Sequence, residues 1–368
     1  MGIPLMDIRA QYAPLREQLD AAIAAVLDSG RFILGPQVSG IEADVSTRLA
    51  GRPCVGVANG TDALVIALQA LGVGPGDEVI TTPYTFYATA EAVARLGATP
   101  VFADVEPVGA CLDPALIEER ITERTKAIIP VHIFGHPAPM TDILTTAAEN
   151  GLQVIEDAAQ AFGAADGEWA VGTMGDAATF SFFPTKNFPG IGDGGLVAAR
   201  DADLAHRIRR LRFHGSDDKA TFLEVGYNSR LDELQAAAIR VFLPEVDGWN
   251  DRRRQVAAWY REAGLGQHVT LPEERGGVHH IYHLYMVRHP ERDRLRDLLV
   301  EDDVSAVVYY GIPMHLQPVF GHLGYAQGDM PVAEEWARTG LALPMHPNLT
   351  REQVDEVVAA VGRAVSRI

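Results

Sequence analysis

The stretch Val57-Ala58-Asn59-Gly60-Thr61-Asp62-Ala63-Leu64 joins an apolar run to the start of a helical pattern. Residues 54–58 are apolar and predict a buried strand, and residues 61–70 predict the helix that follows it. Short apolar runs and helical patterns keep alternating through the first half of the chain. Alternation of this kind predicts a mostly parallel β-sheet that helices cover on both faces.

Further apolar runs extend this prediction along the chain. The predicted strands are residues 78–81, 100–104, 126–132 and 153–156, and the predicted helices between them are residues 88–96, 114–121 and 140–150. Parallel sheets bind ligands beyond the carboxyl ends of their strands. We therefore expect each catalytic or binding residue to follow a strand.

The pattern changes after Gly163, where two short strands at residues 179–183 and 196–199 flank a glycine-rich turn. Two close strands joined by such a turn predict an antiparallel addition to the sheet. A helical pattern then runs from residue 231 to 261 and is interrupted near Pro244.

The C-terminal third has its own pattern of strands and helices. Residues 283–288 and 304–310 predict strands, and residues 292–300 predict a helix between them. Thr350, followed three residues later by Gln353, predicts the start of the last helix through a capping box. The fold class is therefore α/β, with a large domain (residues 1–245) built on the mostly parallel sheet and a smaller α+β domain (residues 246–368).

The composition restricts the possible partners. The formal net charge of −18 disfavours binding to a nucleic-acid backbone. The sequence has no apolar run long enough for a membrane span and no signal-peptide pattern at its start. Cys54 and Cys111 have no metal-like spacing, so we expect no metal site, two reduced thiols and a cytoplasmic protein.

Only three of the 31 basic residues are lysines, and each is a candidate for chemistry that needs a free amine. Lys126 precedes a predicted strand, and Lys219 lies in a polar loop. Lys186 follows the strand at residues 179–183, where burial would lower the pKa of its amine. A catalytic amine and an ordinary loop lysine explain the Lys186 segment about equally well.

Two other segments carry polar groups at strand ends. Asp157 ends an apolar strand, where it would pair with a cationic ligand group or cap the next helix. Gly60 and Thr61 begin a helix whose N–H groups suit a phosphate, and Ser181 could add a hydroxyl. Phe86 follows the second strand, where it would stack on a ligand ring or belong to the core.

Taken together, these segments resemble the DegT–StrS family of nucleotide-sugar aminotransferases, which are fold-type I enzymes dependent on pyridoxal 5′-phosphate (PLP). The resemblance covers nearly the whole chain, and the ordered set of motifs is specific to that family. The matching stretches are residues 60–64, 76–80, 155–160, 180–187, 192–195, 226–230 and 313–317.

The resemblance implies a role for each position. Lys186 would form the Schiff base with PLP, Asp157 would pair with the pyridine nitrogen, and Gln160 would lie near the phenolic oxygen. Gly60, Thr61 and Ser181 would hold the phosphate, and Phe86 would stack on the ring. Asn228 would reach the phosphate of a neighbouring subunit's cofactor in a homodimer, whereas His214, Arg230 and His315 would help to form the sugar-nucleotide pocket.

The resemblance also implies the reaction. The protein would transfer an amino group from L-glutamate to a nucleotide-linked keto-sugar, with C3 favoured over C4 as the site of amination. Transamination of a keto-cyclitol, or PLP binding by a regulatory protein without turnover, remains an alternative. A nucleotide-binding dehydrogenase is a further alternative, but no G-x-G-x-x-G follows the first strand.

Overall fold

The computed structural model describes residues 2–368. Met1, which belongs to the predicted large domain and its N-terminal segment, lies outside the described residues. The strands are β1 (Cys54–Val57), β2 (Glu78–Thr81), β3 (Thr99–Phe102), β4 (Thr125–Ile129), β5 (Gln153–Asp157), β6 (Ala165–Asp166), β7 (Trp169–Ala170), β8 (Ala177–Ser181), β9 (Gly195–Ala199), β10 (Val278–His279), β11 (Tyr285–Arg288) and β12 (Gly340–Leu343).

The α-helices alternate with these strands and also form most of the N-terminal segment. They are α1 (Ile8–Tyr12), α2 (Arg16–Ser29), α3 (Pro36–Arg48), α4 (Gly60–Ala70), α5 (Ala88–Arg95), α6 (Met140–Asn150), α7 (Ala202–Leu211), α8 (Glu233–Phe242), α9 (Val246–Glu262), α10 (Arg292–Glu301), α11 (Pro331–Thr339) and α12 (Arg351–Val365). Among residues 2–368, no helix combines the length and the apolar character needed to cross a membrane.

A seven-stranded sheet forms the centre of the protein, with the strand order β1-β9-β8-β5-β4-β2-β3. The pairs β8–β5, β5–β4, β4–β2 and β2–β3 are parallel, whereas β9 pairs antiparallel with both β1 and β8. The predicted parallel sheet with an antiparallel addition is therefore confirmed. The carboxyl ends of β1, β2, β5 and β8 lie at one edge of this sheet.

Buried apolar side chains cover both faces of the sheet. One core includes Val55 and Leu64 together with α5 and α7, and another packs α3 and α8 against Phe180. The strands are short and almost entirely buried because helices cover both faces. This packing fixes the positions of the strand ends relative to one another.

The C-terminal third forms its own layer around the two-stranded antiparallel sheet of β11 and β12. Helices α9, α10 and α12 pack on this sheet around a core that includes Tyr260, Leu298 and Val357. The predicted break near Pro244 is present, because α8 ends at Phe242 and α9 begins at Val246. The predicted capping box at Thr350 is also present.

Two predicted elements were wrong. Residues 304–310 do not form a strand; Val304 and Val307 each make a single isolated bridge, and β12 takes the place beside β11. The chain leaves the sheet there because it carries Tyr309 and Tyr310 into the wall of a cavity. Residues 114–121 form two short 3-10 helices instead of an α-helix.

Candidate active site

A cavity of about 810 Å³ opens at the carboxyl ends of the parallel strands. Its size is typical of pockets for cofactors and small substrates. Its floor comes from the segments that follow β1, β2, β5 and β8, and Tyr309 and Tyr310 approach from the C-terminal third. The predicted site residues in its lining are Gly60, Thr61, Phe86, Asp157, Gln160, Ser181 and Lys186.

The turn after β1 brings the start of α4 to the cavity. The side chain of Asn59 accepts a hydrogen bond from the amide of Asp62 at 2.8 Å and so caps the helix. The first amides of a helix have no partner within the helix, and its N-terminus carries partial positive charge. Together with the hydroxyl groups of Thr61 and Ser181, this end of α4 suits a phosphate group.

Glycine is needed where this turn meets the neighbouring strands. A Cβ atom on Gly60 would lie 2.7 Å from Cβ of Ser181, and one on Gly195 would lie 2.4 Å from the carbonyl oxygen of Asn59. Either contact would force the turn away from β8 and β9. The close approach therefore keeps Ser181 beside the N-terminus of α4.

Asp157 is the last residue of β5, and its side chain lies in the cavity wall although the residue is only 5% exposed. Its carboxylate accepts hydrogen bonds from the hydroxyl of Thr89 at 2.8 Å and from the amide of Ala159 at 3.3 Å. Burial raises its pKa, although these bonds and the charge of Lys186 act in the opposite direction. A cationic ligand group beside Asp157 would compensate for this burial.

Glu156 precedes Asp157 and points to the other face of the strand. Its carboxylate accepts hydrogen bonds from the amides of Gly172, Met174 and Gly175, each at 2.8 Å, and lies 3.1 Å from Nε2 of His132. Burial acts to raise its pKa, but His132 and the amides outweigh that effect and lower it. Glu156 is therefore a buried structural anchor, whereas Asp157 faces the cavity.

Lys186 lies in the segment between β8 and β9, and its side chain lines the same cavity as Asp157. Burial lowers the pKa of its amine to about 8, while the negative charge of Asp157 acts to raise it. About a tenth of this amine is therefore uncharged at pH 7, far more than for an ordinary lysine, and can act as a nucleophile or a base. Lys126 is exposed at the start of β4, and Lys219 lies on an exposed loop.

Gln160 connects the floor of the cavity to the C-terminal third. Its carbonyl oxygen accepts a hydrogen bond from the amide of Phe134 at 2.7 Å, and its amide nitrogen donates to the hydroxyl of Tyr310 at 3.0 Å. The ring of Tyr310 also lies 6.2 Å from the ring of Phe86. Phe86 lines the cavity and is 56% exposed, so one face of its ring is available to a ligand.

Three of the predicted binding residues lie together outside the lining of this cavity. Asn228 forms an isolated bridge with Phe213, and its side chain accepts a hydrogen bond from Arg230. His214 follows Phe213, and its amide donates to the carbonyl oxygen of Tyr227 at 2.8 Å. His214 and Asn228 are exposed, which leaves them free to contact another subunit.

His315 also lies apart from the lining residues of the cavity. It is buried, and its Nε2 atom lies 3.1 Å from a carboxylate oxygen of Glu334 at the start of α11. This contact holds the segment after Tyr310 against α11. The predicted role of His315 toward a substrate stays a prediction.

The sequence analysis missed several residues that line the cavity. Thr89 orients Asp157, Tyr310 binds Gln160, and His283 lies in the wall near Lys186. Thr89 lies in the first turn of a predicted helix. Its hydroxyl group in an otherwise apolar part of that helix is the only feature of the sequence that could have indicated its role. Tyr310 and His283 carry no local signal, because long-range packing brings them to the cavity.

The cavity residues fit PLP, the cofactor that the resemblance implies. The start of α4 and the hydroxyl of Ser181 suit its phosphate, and Asp157 is a buried carboxylate that a protonated pyridine nitrogen would compensate. The lowered pKa of Lys186 suits attack on its aldehyde. Among residues 2–368, no group of three or more His, Cys, Asp or Glu side chains is arranged to hold a metal ion.

Comparison with known proteins links this site to a family. The family described as DegT/DnrJ/EryC1/StrS aminotransferases matches residues 14–362. A "UDP-N-acetyl-3-dehydro-alpha-D-glucosamine 3-aminotranferase" from Acidithiobacillus ferrooxidans is 46% identical, over 99% of this chain and 98% of its own. A "Pleiotropic regulatory protein" from Geobacillus stearothermophilus is 48% identical, over 98% of both chains.

The fold agrees closely with that of a solved relative. The crystal structure of DesV from S. venezuelae, determined in complex with a ketimine intermediate, is similar with a TM-score of 0.96 and 43% identity. The similarity covers 100% of this chain and 99% of DesV. The match therefore includes the large sheet, the C-terminal third and the cavity between them.

Proposed function

Because the chain belongs to the DegT/DnrJ/EryC1/StrS aminotransferase family and is a PLP-dependent aminotransferase, we propose that it moves an amino group from L-glutamate to C3 of a nucleotide-linked keto-sugar. The observation that carries the proposal is the position of Lys186 beside Asp157 in one cavity. The family membership excludes the dehydrogenase alternative.

Asp157 holds the protonated pyridine nitrogen of the cofactor in this proposal. Bound PLP supplies an electron sink that stabilises negative charge at the carbon that loses a proton. Asp157 keeps that sink effective because its carboxylate favours the protonated ring. Thr89 orients the carboxylate through its 2.8 Å hydrogen bond.

Lys186 has two tasks in this proposal. Its amine would hold the cofactor, and its Nζ would accept the proton that the α-carbon of L-glutamate loses. An amine with a pKa of about 8 can take up and release a proton near neutral pH. The same atom returns a proton in the second half of the cycle.

The other lining residues orient the cofactor. We assign the phosphate to the start of α4 at Gly60 and Thr61 and to the hydroxyl of Ser181. Gln160 would lie near the phenolic oxygen, where its link to Tyr310 holds it in place. Phe86 would stack on the ring with its exposed face.

The relatives support the acceptor and its C3 regiochemistry. One relative at 46% identity is named as a 3-aminotransferase of a UDP-linked sugar. Similarity over nearly the whole of both chains makes the same class of nucleotide-linked keto-sugar the best proposal for this protein. Arg230, His214 and His315 are assigned to the sugar-nucleotide side of the site.

The active unit in this proposal is a homodimer. Asn228 is exposed and lies outside the cavity of its own chain, so it is assigned to the cofactor phosphate of the partner subunit.

We retain a boundary between the two domains near residue 245, where α8 and α9 meet. Cys54 and Cys111 are buried free thiols, which supports a cytoplasmic location.

A regulatory protein without turnover remains a second candidate, because a relative at 48% identity is named as a regulatory protein. Addition of L-glutamate to the PLP-loaded protein separates the two. A catalyst converts PLP to pyridoxamine phosphate, and a protein that only binds PLP leaves the absorbance unchanged.

Two experiments test the proposed function directly. Borohydride reduction followed by peptide mapping should place the cofactor on Lys186, and a label elsewhere would refute the assignment. A panel of UDP- and dTDP-linked 3-keto and 4-keto sugars, together with a keto-inositol, should yield a 3-amino product by mass and regiochemical analysis. Amination of the cyclitol alone would refute the proposed acceptor.

A further inference from the structure

Three buried basic side chains near the cavity have nitrogen atoms without hydrogen-bond partners among the described residues. These atoms are Nε and Nη1 of Arg253, Nδ1 of His283 and both ring nitrogens of His346. Each of the three residues is only 4% exposed. Buried polar atoms are normally paired, so this concentration of unpaired nitrogen atoms indicates a ligand site.

Chain contacts and charge interactions link these side chains to one another and, through His283, to the wall of the cavity that holds Lys186. His283 lines the cavity with Lys186, and the positive charge of Lys186 acts to lower its pKa. Arg253 follows Asn250 by one turn of α9, and Asn250 accepts a hydrogen bond at 3.3 Å from Asn187, the residue next to Lys186. Arg253 therefore lies on the same face of α9 as Asn250, the face that contacts the segment carrying Lys186.

His346 approaches the same region from the segment after β12. Arg252 donates a hydrogen bond to the carbonyl oxygen of Pro347, which joins α9 to that segment. The charge of Arg253 acts to lower the pKa of both His283 and His346. The three basic groups are therefore electrostatic neighbours.

The charges that face these groups are mainly positive. Burial lowers the pKa of Arg253 to about 10, and no carboxylate opposes that effect. Asp7, in the N-terminal segment, is the acidic group that acts to raise the pKa of His346, while burial lowers that pKa to about 4. A buried guanidinium group is costly without an anion, and a planar carboxylate can bind it through two hydrogen bonds.

We propose that Arg253, His283 and His346 form a subsite that binds a carboxylate group of the amino donor. The proposal rests on the proposed function, because it assumes that an amino acid reacts at Lys186. His283 contacts the donor from the cavity wall, and Arg253 supplies the fixed positive charge. The small size of a carboxylate suits this buried position better than the bulk of a nucleotide diphosphate.

The test uses the PLP-loaded protein and the variant Arg253→Met. Titration calorimetry with glutarate, a dicarboxylate that has no amine, should show affinity weakened by about 10- to 100-fold, as expected for loss of a charged hydrogen bond. The KM for L-glutamate in the first half-reaction should rise by a similar factor. The KM for the nucleotide-linked keto-sugar in the second half-reaction should stay unchanged.

Arg294→Met is the matched control, because it removes the same charge from an exposed position on α10. Its glutarate affinity should match that of the wild-type protein. An unchanged glutarate affinity in Arg253→Met would overturn the proposal. Equal losses for glutarate and the keto-sugar would also overturn it, because they would indicate a general structural role.

A folding defect in Arg253→Met would appear in circular dichroism and in the PLP content. In that case Arg253→Lys and His346→Asn take its place, and unchanged glutarate affinity in both would overturn the subsite. The proposed function has a separate readout. If the wild-type protein does not convert PLP to pyridoxamine phosphate with L-glutamate, the function fails, while glutarate binding still decides the subsite.

Discussion

The two faces of β5 carry adjacent carboxylates in different environments, and we propose a reactive role only for the one that faces the cavity. Glu156 accepts hydrogen bonds from three amides and lies against His132, and its pKa is lowered. Asp157 has two hydrogen bonds and faces the cavity, and burial raises its pKa. The number of donors that the protein supplies to each carboxylate therefore distinguishes the structural face from the reactive face.

This difference has a physical consequence for ligand binding. A carboxylate with a complete set of donors gains little from a further partner, whereas an incompletely paired buried carboxylate gains much from a cation. Asp157 is available to a cofactor because the protein leaves it underpaired.

Replacement of Lys186 by Ala removes the amine that faces Asp157. Turnover should fall by at least about 10²–10⁴-fold, since general acid–base transfer alone contributes that much. The absorbance of the Schiff base between Lys186 and PLP should disappear, and both changes can be measured by spectrophotometry. Lys126→Ala is the control, because Lys126 is exposed at the start of β4 and should leave both unchanged.

Replacement of Glu156 by Gln tests the structural face. The free energy of unfolding at neutral pH should fall by about 3–5 kcal/mol, because the change breaks a buried ionic network. Urea denaturation followed by circular dichroism measures this difference. A loss below about 1 kcal/mol, the range of a surface ion pair, would contradict the role of Glu156 as an anchor.

The pH dependence of that difference has a definite sign. The folded-state pKa of Glu156 is lowered, so the ionised carboxylate stabilises the fold above its ordinary pKa of 4.5. This stabilisation is lost as the pH falls from 4.5 through the folded-state pKa. The gap between wild-type protein and Glu156→Gln should therefore shrink in acid.

Replacement of Asp157 by Asn tests the reactive face. The rate of proton transfer from L-glutamate should fall by about 10²-fold or more, while the midpoint of urea denaturation changes little. Stopped-flow absorbance with L-glutamate measures the rate. Wild-type rates in this variant would mean that Asp157 only caps the segment after β5.

The smallest effect concerns the amine of Lys186 in the cofactor-free protein. A pKa of about 8 means that the rate of PLP capture should rise about tenfold between pH 7 and pH 9. The midpoint should fall in Asp157→Asn, because the negative charge of Asp157 acts to raise the pKa of Lys186. A midpoint near 10.5, the ordinary pKa of lysine, would contradict this environment.

The positions that follow strands could be predicted because the sheet is parallel. Gly60 and Lys186 follow two different strands and Asp157 ends a third, and the carboxyl ends of parallel strands meet at one edge. Local sequence therefore indicated that these residues lie together. It could not separate a catalytic Lys186 from a loop lysine, because the burial that lowers its pKa comes from distant segments.

Local pattern was misleading in the C-terminal third. Residues 304–310 have the composition of a strand, yet Val307 makes only one bridge to β12. Packing of Tyr309 and Tyr310 into the cavity wall outweighed the strand propensity of the apolar residues before them. The unpaired nitrogen atoms of Arg253 and His346 likewise have no sequence signal.

The alternation of strands and helices, the motif order and the three lysines were enough to establish the α/β class, the family resemblance and the main candidate residues. These features are local or simply ordered along the chain. Tertiary structure decided the different hydrogen bonding of Glu156 and Asp157 and the lowered pKa of Lys186. It also decided the positions of His283 and Tyr310 in the cavity wall. Burial and hydrogen bonding depend on segments far apart in sequence, and only the folded chain brings them together.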